Sequence, residues 1–97
     1  MIKHIALFRF HEGTSDAAID AFGAALDAMV PQVDLLRTYE HGRDLAATDG
    51  TFDYAVIAGL DSIDDYRTYA SHPAHVSVIE HHSSVITAES VRVQVEV

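Results

Sequence analysis

The chain has 97 residues and no cysteine, and 15 acidic residues against six lysines and arginines give it a formal net charge of −9 at pH 7. A chain this short forms one domain, here residues 1–97, and association with a second copy would help it bury apolar surface. The missing thiols exclude disulfides and thiolate chemistry. The scattered basic residues form no stripe that could follow a nucleic-acid backbone.

No segment approaches the length that a bilayer span requires, so no membrane partner is expected. The apolar stretch at the start of the chain contains Lys3, His4 and Arg9, which interrupt the uniform apolar region of a signal peptide. We therefore expect a cytoplasmic protein that binds neither membrane nor nucleic acid.

Alternating apolar residues predict a first strand over 2–10, with His4, Ala6 and Phe8 on one face. Thr14 or Ser15 is a typical cap for the helix that follows. One apolar stripe at helical spacing runs along this helix as far as Pro31: Ile19, Phe22, Leu26, Met29 and Val30.

A second strand is predicted near 36–42 and a third over 52–60, with a turn at Asp49-Gly50 between them. Ser62 and Asp65 resemble a capping pair, which predicts a short helix through Tyr69. A further helix should follow Pro73 and carry His75, Val78, Ile79, His82, Val85 and Ile86 on one side. Alternating valines from 91 to 97 predict the last strand.

This βαββααβ order predicts an α+β domain with a four-stranded antiparallel sheet and helices on one face. The first and third strands are apolar on both faces, whereas a sheet face in contact with water should be polar. A second copy of the same sheet is the simplest cover for that face, so we expect a homodimer.

The most informative segment is 69–75, which reads Tyr-Ala-Ser-His-Pro-Ala-His. Pro73 fixes its own φ, pushes His72 out of the helical region and favours a new helix beginning at the proline. His75 then lies in the first helical turn, where the positive end of the helix disfavours imidazolium. A histidine kept neutral in this way can accept a proton.

Strand pairing and helix placement allow four polar aromatic residues to converge on one pocket between the sheet and the helices: His4, Tyr54, Tyr69 and His75. Apolar walls would come from Phe8, Phe22, Leu26, Val56 and Ile79. An apolar cleft with a few convergent polar groups is the usual form of a small-molecule site. Each of these residues could instead be a hydrogen-bonded core residue without a role in binding.

The HPAH segment at 72–75 and the opening MIKHIALFRF at 1–10 are similar to the stress-responsive A/B barrel (Dabb) family, and the resemblance extends over essentially the whole chain. The resemblance implies a ferredoxin-like dimeric α+β barrel. For members of the olivetolic acid cyclase type it also implies cofactor-free cyclisation of a polyketide chain. His75 would be the general base in such an enzyme, with Tyr69 and His4 as further catalytic residues.

Two positions depart from the family pattern. Tyr54 stands where the third strand of the family often has histidine, and Gln94 is the best match to an aspartate that orients the catalytic histidine. Glutamine can fix an imidazole tautomer but cannot stabilise imidazolium by charge. His75 would then be a weaker base, and the pocket would bind a ligand without catalysis or act on a more acidic carbon.

Three functions remain open at this point: a cyclase or isomerase acting on a β-keto substrate, a non-enzymatic stress or ligand-binding protein, and a monooxygenase related by its barrel. The absence of tryptophan counts against the last. The seven histidines show no HExxH or paired Cys/His spacing, so we expect no metal and no cofactor.

Overall fold

The computed structural model describes all 97 residues. A single antiparallel sheet has the strand order β2-β3-β1-β4. The elements are β1 (Ile2–Phe10), α1 (Asp16–Met29), a 3₁₀ turn (Val30–Gln32), β2 (Thr38–Arg43), β3 (Tyr54–Leu60), α2 (Ile63–Ser71), α3 (Pro73–Val78), a π-helical turn (Ile79–Ser83), α4 (Ser84–Ile86) and β4 (Thr87–Glu96). The α+β, ferredoxin-like fold class predicted from the sequence is confirmed.

The helices begin at the predicted caps. The Ser15 hydroxyl accepts from the backbone N–H of Ala18, and the Ser62 hydroxyl accepts from that of Asp65. Each cap satisfies a backbone donor that the first helical turn leaves without a partner. The last predicted helix is one helical run interrupted by the π-helical turn, which widens it beside the sheet.

β2 covers Thr38–Arg43, close to the predicted 36–42, whereas β3 and β4 begin at positions that differ from the sequence prediction. β3 begins at Tyr54, because the Asp53 carboxylate accepts from the backbone N–H of Phe10 and so holds a bend before the strand. β4 begins at Thr87, since a bulge between Arg9 and Phe10 extends its pairing with β1. Neither difference changes which residues share a face.

The main core lies between the sheet and the helices. Leu60 and Ala58 of β3 are fully buried there, and Phe22, Met29 and Tyr69 are 1% exposed. Strand alternation gives His4 of β1 the same orientation, and it is one of the few buried polar residues. The helix-facing side of the sheet therefore carries both the core and the polar groups of the site.

The opposite face of the sheet is apolar and has no cover within the chain. Ile5 pairs with Ile57 on one side and with Val93 on the other, so these side chains form a row. Val91, Val93 and Val95 of β4 remain 43%, 50% and 38% exposed. This outer sheet face is a contiguous apolar surface of the kind that marks an interface.

No helix in the structure is both long and apolar enough to span a bilayer.

Replacing Leu60 by alanine should lower the free energy of unfolding by about 2–5 kcal/mol, because a fully buried side chain is lost and a cavity remains. Leu45→Ala is the matched control, since Leu45 is 91% exposed, and it should cost less than about 0.5 kcal/mol. Urea unfolding followed by circular dichroism measures both. Equal losses in the two variants would contradict the core described here.

Candidate functional site

A cavity of about 470 Å³ lies between the helix-facing side of the sheet and the helices after β3. This volume suits a small organic ligand, for which pockets of roughly 300–1,000 Å³ are usual. Its lining includes eight residues that the sequence analysis singled out: His4, Phe8, Phe22, Leu26, Val56, Tyr69, His75 and Ile79. Most of these are apolar, and the polar groups cluster at the end nearest α2 and α3.

His75 is positioned by the break between α2 and α3. Pro73 is the first residue of α3, and the His72 Nδ1 caps the helix by accepting from the backbone N–H of Ala74 at 3.1 Å. The His75 Nδ1 lies 3.0 Å from the carbonyl oxygen of Ala70. Because a carbonyl only accepts, Nδ1 carries the proton. Nε2 of the neutral ring is then an unprotonated acceptor, with no partner in the chain and not sealed from solvent.

Burial lowers the pKa of His75 below its ordinary value, and the nearby His72 lowers it further. The hydrogen bond to the Ala70 carbonyl opposes this shift because it favours the charged ring. Burial is the largest of these causes, so His75 is neutral at pH 7. A neutral ring with a free Nε2 lone pair can accept a proton.

His4 has the opposite tautomer. Its Nδ1 lies 2.9 Å from the Gln94 side-chain nitrogen, which donates to it, so the ring proton is on Nε2. Burial lowers the pKa of His4 to about 4, with smaller contributions from His75 and from the Arg92 charge. The cavity therefore holds one neutral imidazole that can accept through Nε2 and another that can donate through Nε2.

Tyr69 lies between these groups. Its ring centroid is 4.3 Å from that of His75 and 6.4 Å from that of His4, and its hydroxyl is 3.1 Å from the Tyr39 hydroxyl. Burial raises the pKa of Tyr69 to about 12, although the hydrogen bond from Tyr39 opposes the shift. Burial likewise raises the pKa of Tyr39. Both phenols are hydrogen-bond donors at neutral pH.

Tyr54 does not line this cavity, contrary to the sequence analysis. Its hydroxyl donates to the His41 Nδ1 at 2.6 Å, and the His41 Nε2–H donates to the Asp27 carboxylate at 2.6 Å. Tyr54 pairs with Phe8 at the start of β3 and faces α1, and a Cβ at Gly23 would come within 3.0 Å of its hydroxyl. This Asp27–His41–Tyr54 chain connects α1 to the sheet.

Gln94 also differs from its expected position. It pairs across the sheet with His4 and fixes the tautomer of that ring, whereas the backbone carbonyl of Ala70 is the partner of His75. The expectation that Gln94 orients His75 is therefore wrong, because the strand register places Gln94 opposite His4.

Sequence reasoning missed eight polar residues of the lining, among them Tyr39, Tyr66 and Arg92. Tyr66 lies three residues before Tyr69 on α2, a spacing that places both on one side of a helix, and its ring centroid is 4.6 Å from that of His4. Tyr39 and Arg92 could have been found only from strand alternation combined with the sheet register.

Nowhere in the structure do three His, Asp or Glu side chains converge to hold a metal ion.

Known proteins with this fold include both enzymes and proteins of unknown function. A dimeric ferredoxin-like protein of unknown function from Thermobifida fusca is 32% identical, with a TM-score of 0.91 over 99% of this chain and 90% of its own. The hydroxynitrile lyase of Passiflora edulis is 16% identical, with a TM-score of 0.85 over 99% of this chain and 92% of its own, and this similarity shows the fold alone.

A curated relative is the stress-response A/B barrel domain-containing protein of Arabidopsis thaliana, 29% identical over 87% of this chain and 76% of its own length. The model of the stress responsive A/B barrel domain matches residues 2–97. The cavity, the HPAH corner and the sheet thus occur in a chain that belongs to the stress responsive A/B barrel (Dabb) family.

Proposed function

We propose that the cavity binds a β-keto substrate and that His75 removes a proton from the carbon between two carbonyl groups. The observation that carries this proposal is the tautomer of His75, whose Nδ1–H is held by the Ala70 carbonyl and whose Nε2 is free. The pKa lowered by burial keeps this nitrogen unprotonated at neutral pH. No cofactor is required for such a step.

The reaction would proceed through an enolate. Proton transfer to the His75 Nε2 leaves the electron pair on the substrate oxygen, where Tyr69 and the His4 Nε2–H donate hydrogen bonds. The enolate carbon attacks a second carbonyl carbon of the same molecule and forms a carbon–carbon bond. The alkoxide then takes back the proton from His75, so the enzyme returns to its initial state. The apolar walls of the cavity hold the substrate in a folded conformation and exclude water.

A non-enzymatic ligand-binding role is the second candidate, and one observation favours it. The partner of His75 is a neutral backbone carbonyl, so no carboxylate stabilises the imidazolium that proton abstraction creates. The Arabidopsis relative is described only as a stress-response protein. In this alternative the same groups bind the keto oxygens of a ligand that is not turned over.

We also propose that the chain is a homodimer in which the outer sheet faces of two copies pack together. The exposed valines of β4 and the row of isoleucines support this arrangement, because they would otherwise face water. A similar solved structure is described as dimeric. The cavity lies on the other side of the sheet, so each copy keeps its own site.

His75→Ala should reduce proton abstraction by roughly 10²–10⁴-fold, the contribution typical of a general base. Deuterium incorporation at C2 of a β-keto thioester in D₂O, followed by NMR, measures this step without knowledge of the natural substrate. His81→Ala is the control, since His81 is exposed in the same helical run. Undiminished exchange in His75→Ala would remove the assignment, and ligand binding without exchange in the wild type would favour the second candidate.

Val93→Lys should convert the dimer to a monomer, because it places a charge in the middle of the outer sheet face. Val85→Lys is the matched control, since Val85 on α4 is 65% exposed and lies away from that face. Light scattering at micromolar concentration gives the mass of each. A monomeric wild type, or a dimer that both variants preserve, would contradict the proposed interface.

The free energy of unfolding should fall as the pH is lowered from about 6.5 toward about 4. In this window the unfolded chain protonates His4 while the folded chain does not, so the unfolded state binds more protons. The limiting slope is about 1.4 kcal/mol per pH unit for one histidine. His4→Asn should flatten the dependence of the unfolding free energy on pH. His11→Asn is the control, since His11 is exposed, and it should leave that dependence unchanged. Parallel profiles for the two variants would show that His4 titrates normally.

A further inference from the structure

One basic residue of this acidic chain is unlike the other five. Arg92 makes no hydrogen bond or ion pair with the rest of the chain, and it lines the cavity. The others are all engaged: Lys3 with Thr38, Arg9 with Glu89, Arg37 with Asp61, Arg43 with Asp16 and Arg67 with Asp64. Acidic residues outnumber basic ones by 15 to six, so an arginine without a carboxylate partner is unexpected.

The sheet register determines where Arg92 lies. It pairs with Ala6 of β1, one position along the same face from the pair formed by His4 and Gln94. The short side chain of Ala6 leaves space in front of the strand at this point. The Arg92 side chain therefore lies on the same face of the sheet as His4 and Gln94. On this face β4 forms one side of the cavity.

The charge on Arg92 is not compensated within the cavity. Glu89 is the only carboxylate in the lining, and Arg9 already binds it at 3.2 Å. His4 is neutral because its Nδ1 accepts from Gln94, and burial keeps His75 neutral against the opposing effect of the Ala70 carbonyl. No second lysine or arginine lines the cavity. The site thus combines an apolar chamber, neutral hydrogen-bonding groups and one fixed positive charge.

We propose that Arg92 anchors a carboxylate at one end of an otherwise apolar ligand. A guanidinium matches a carboxylate through two parallel hydrogen bonds, and its single charge balances a single negative charge. A phosphate dianion carries a second negative charge, and the cavity lining offers no second lysine or arginine to balance it. This inference rests on the proposed function, and it adds that the β-keto substrate itself carries a carboxylate.

The test compares two unreactive probes of equal shape, para-pentylbenzoate and its neutral analogue para-pentylbenzamide, by isothermal titration calorimetry on the intact protein. The wild type should bind the benzoate about tenfold more tightly, the gain expected from one charge-assisted pair at a solvent-accessible position. Arg92→Gln should abolish this preference and change the Kd of the benzamide by less than about twofold. Arg67→Gln removes the same charge from an ion pair on α2 and should retain the preference.

An unchanged preference in Arg92→Gln, a wild type that does not distinguish the probes, or a wild type that binds neither would overturn the inference. So would conversion of Arg92→Gln to a monomer in light scattering, because the arginine would then pair with a second copy. Binding of an unreactive probe does not depend on catalysis. A lost preference in Arg92→Gln together with undiminished deuterium exchange in His75→Ala would therefore refute the catalytic proposal and support this one.

Discussion

The candidate site depends on one hydrogen bond, from the His75 Nδ1–H to the carbonyl oxygen of Ala70. The bond exists because Pro73 cannot continue α2, so the chain turns at His72 and begins α3 at Pro73. His75, the third residue of α3, then lies beside the end of α2. It fixes the ring without a charged partner. Burial and this geometry together leave Nε2 as a free acceptor at neutral pH.

The second imidazole has a different partner and therefore a different chemical role. Gln94 donates to the His4 Nδ1 across the pair of strands β1 and β4, which places the ring proton on Nε2. Two histidines of the same protonation state thus present a lone pair and an N–H group to one apolar chamber. Tyr69 lies between them, and its hydroxyl is paired with that of Tyr39, so the polar groups form one cluster.

The sequence was sufficient for the fold and for the corner that contains His75, because proline, capping residues and alternation act over a few residues. It was not sufficient where the answer depends on the register of distant strands. Gln94 was expected to orient His75, and only the pairing of β1 with β4 places it beside His4. Tyr54 shares the alternation of Val56, yet it is the first residue of β3 and its hydroxyl lies against α1. Arg92 gave no signal in the sequence, because its lack of an ion-pair partner is a property of the folded chain.

The tautomer of His75 is the central claim, and ¹⁵N NMR of histidine-labelled protein at pH 7 tests it most directly. Long-range proton–nitrogen correlations distinguish a protonated ring nitrogen from an unprotonated one. We expect a protonated Nδ1 and an unprotonated Nε2 for His75, with the reverse pattern for His4. An imidazolium at position 75, or a His75 ring with its proton on Nε2, would contradict the account.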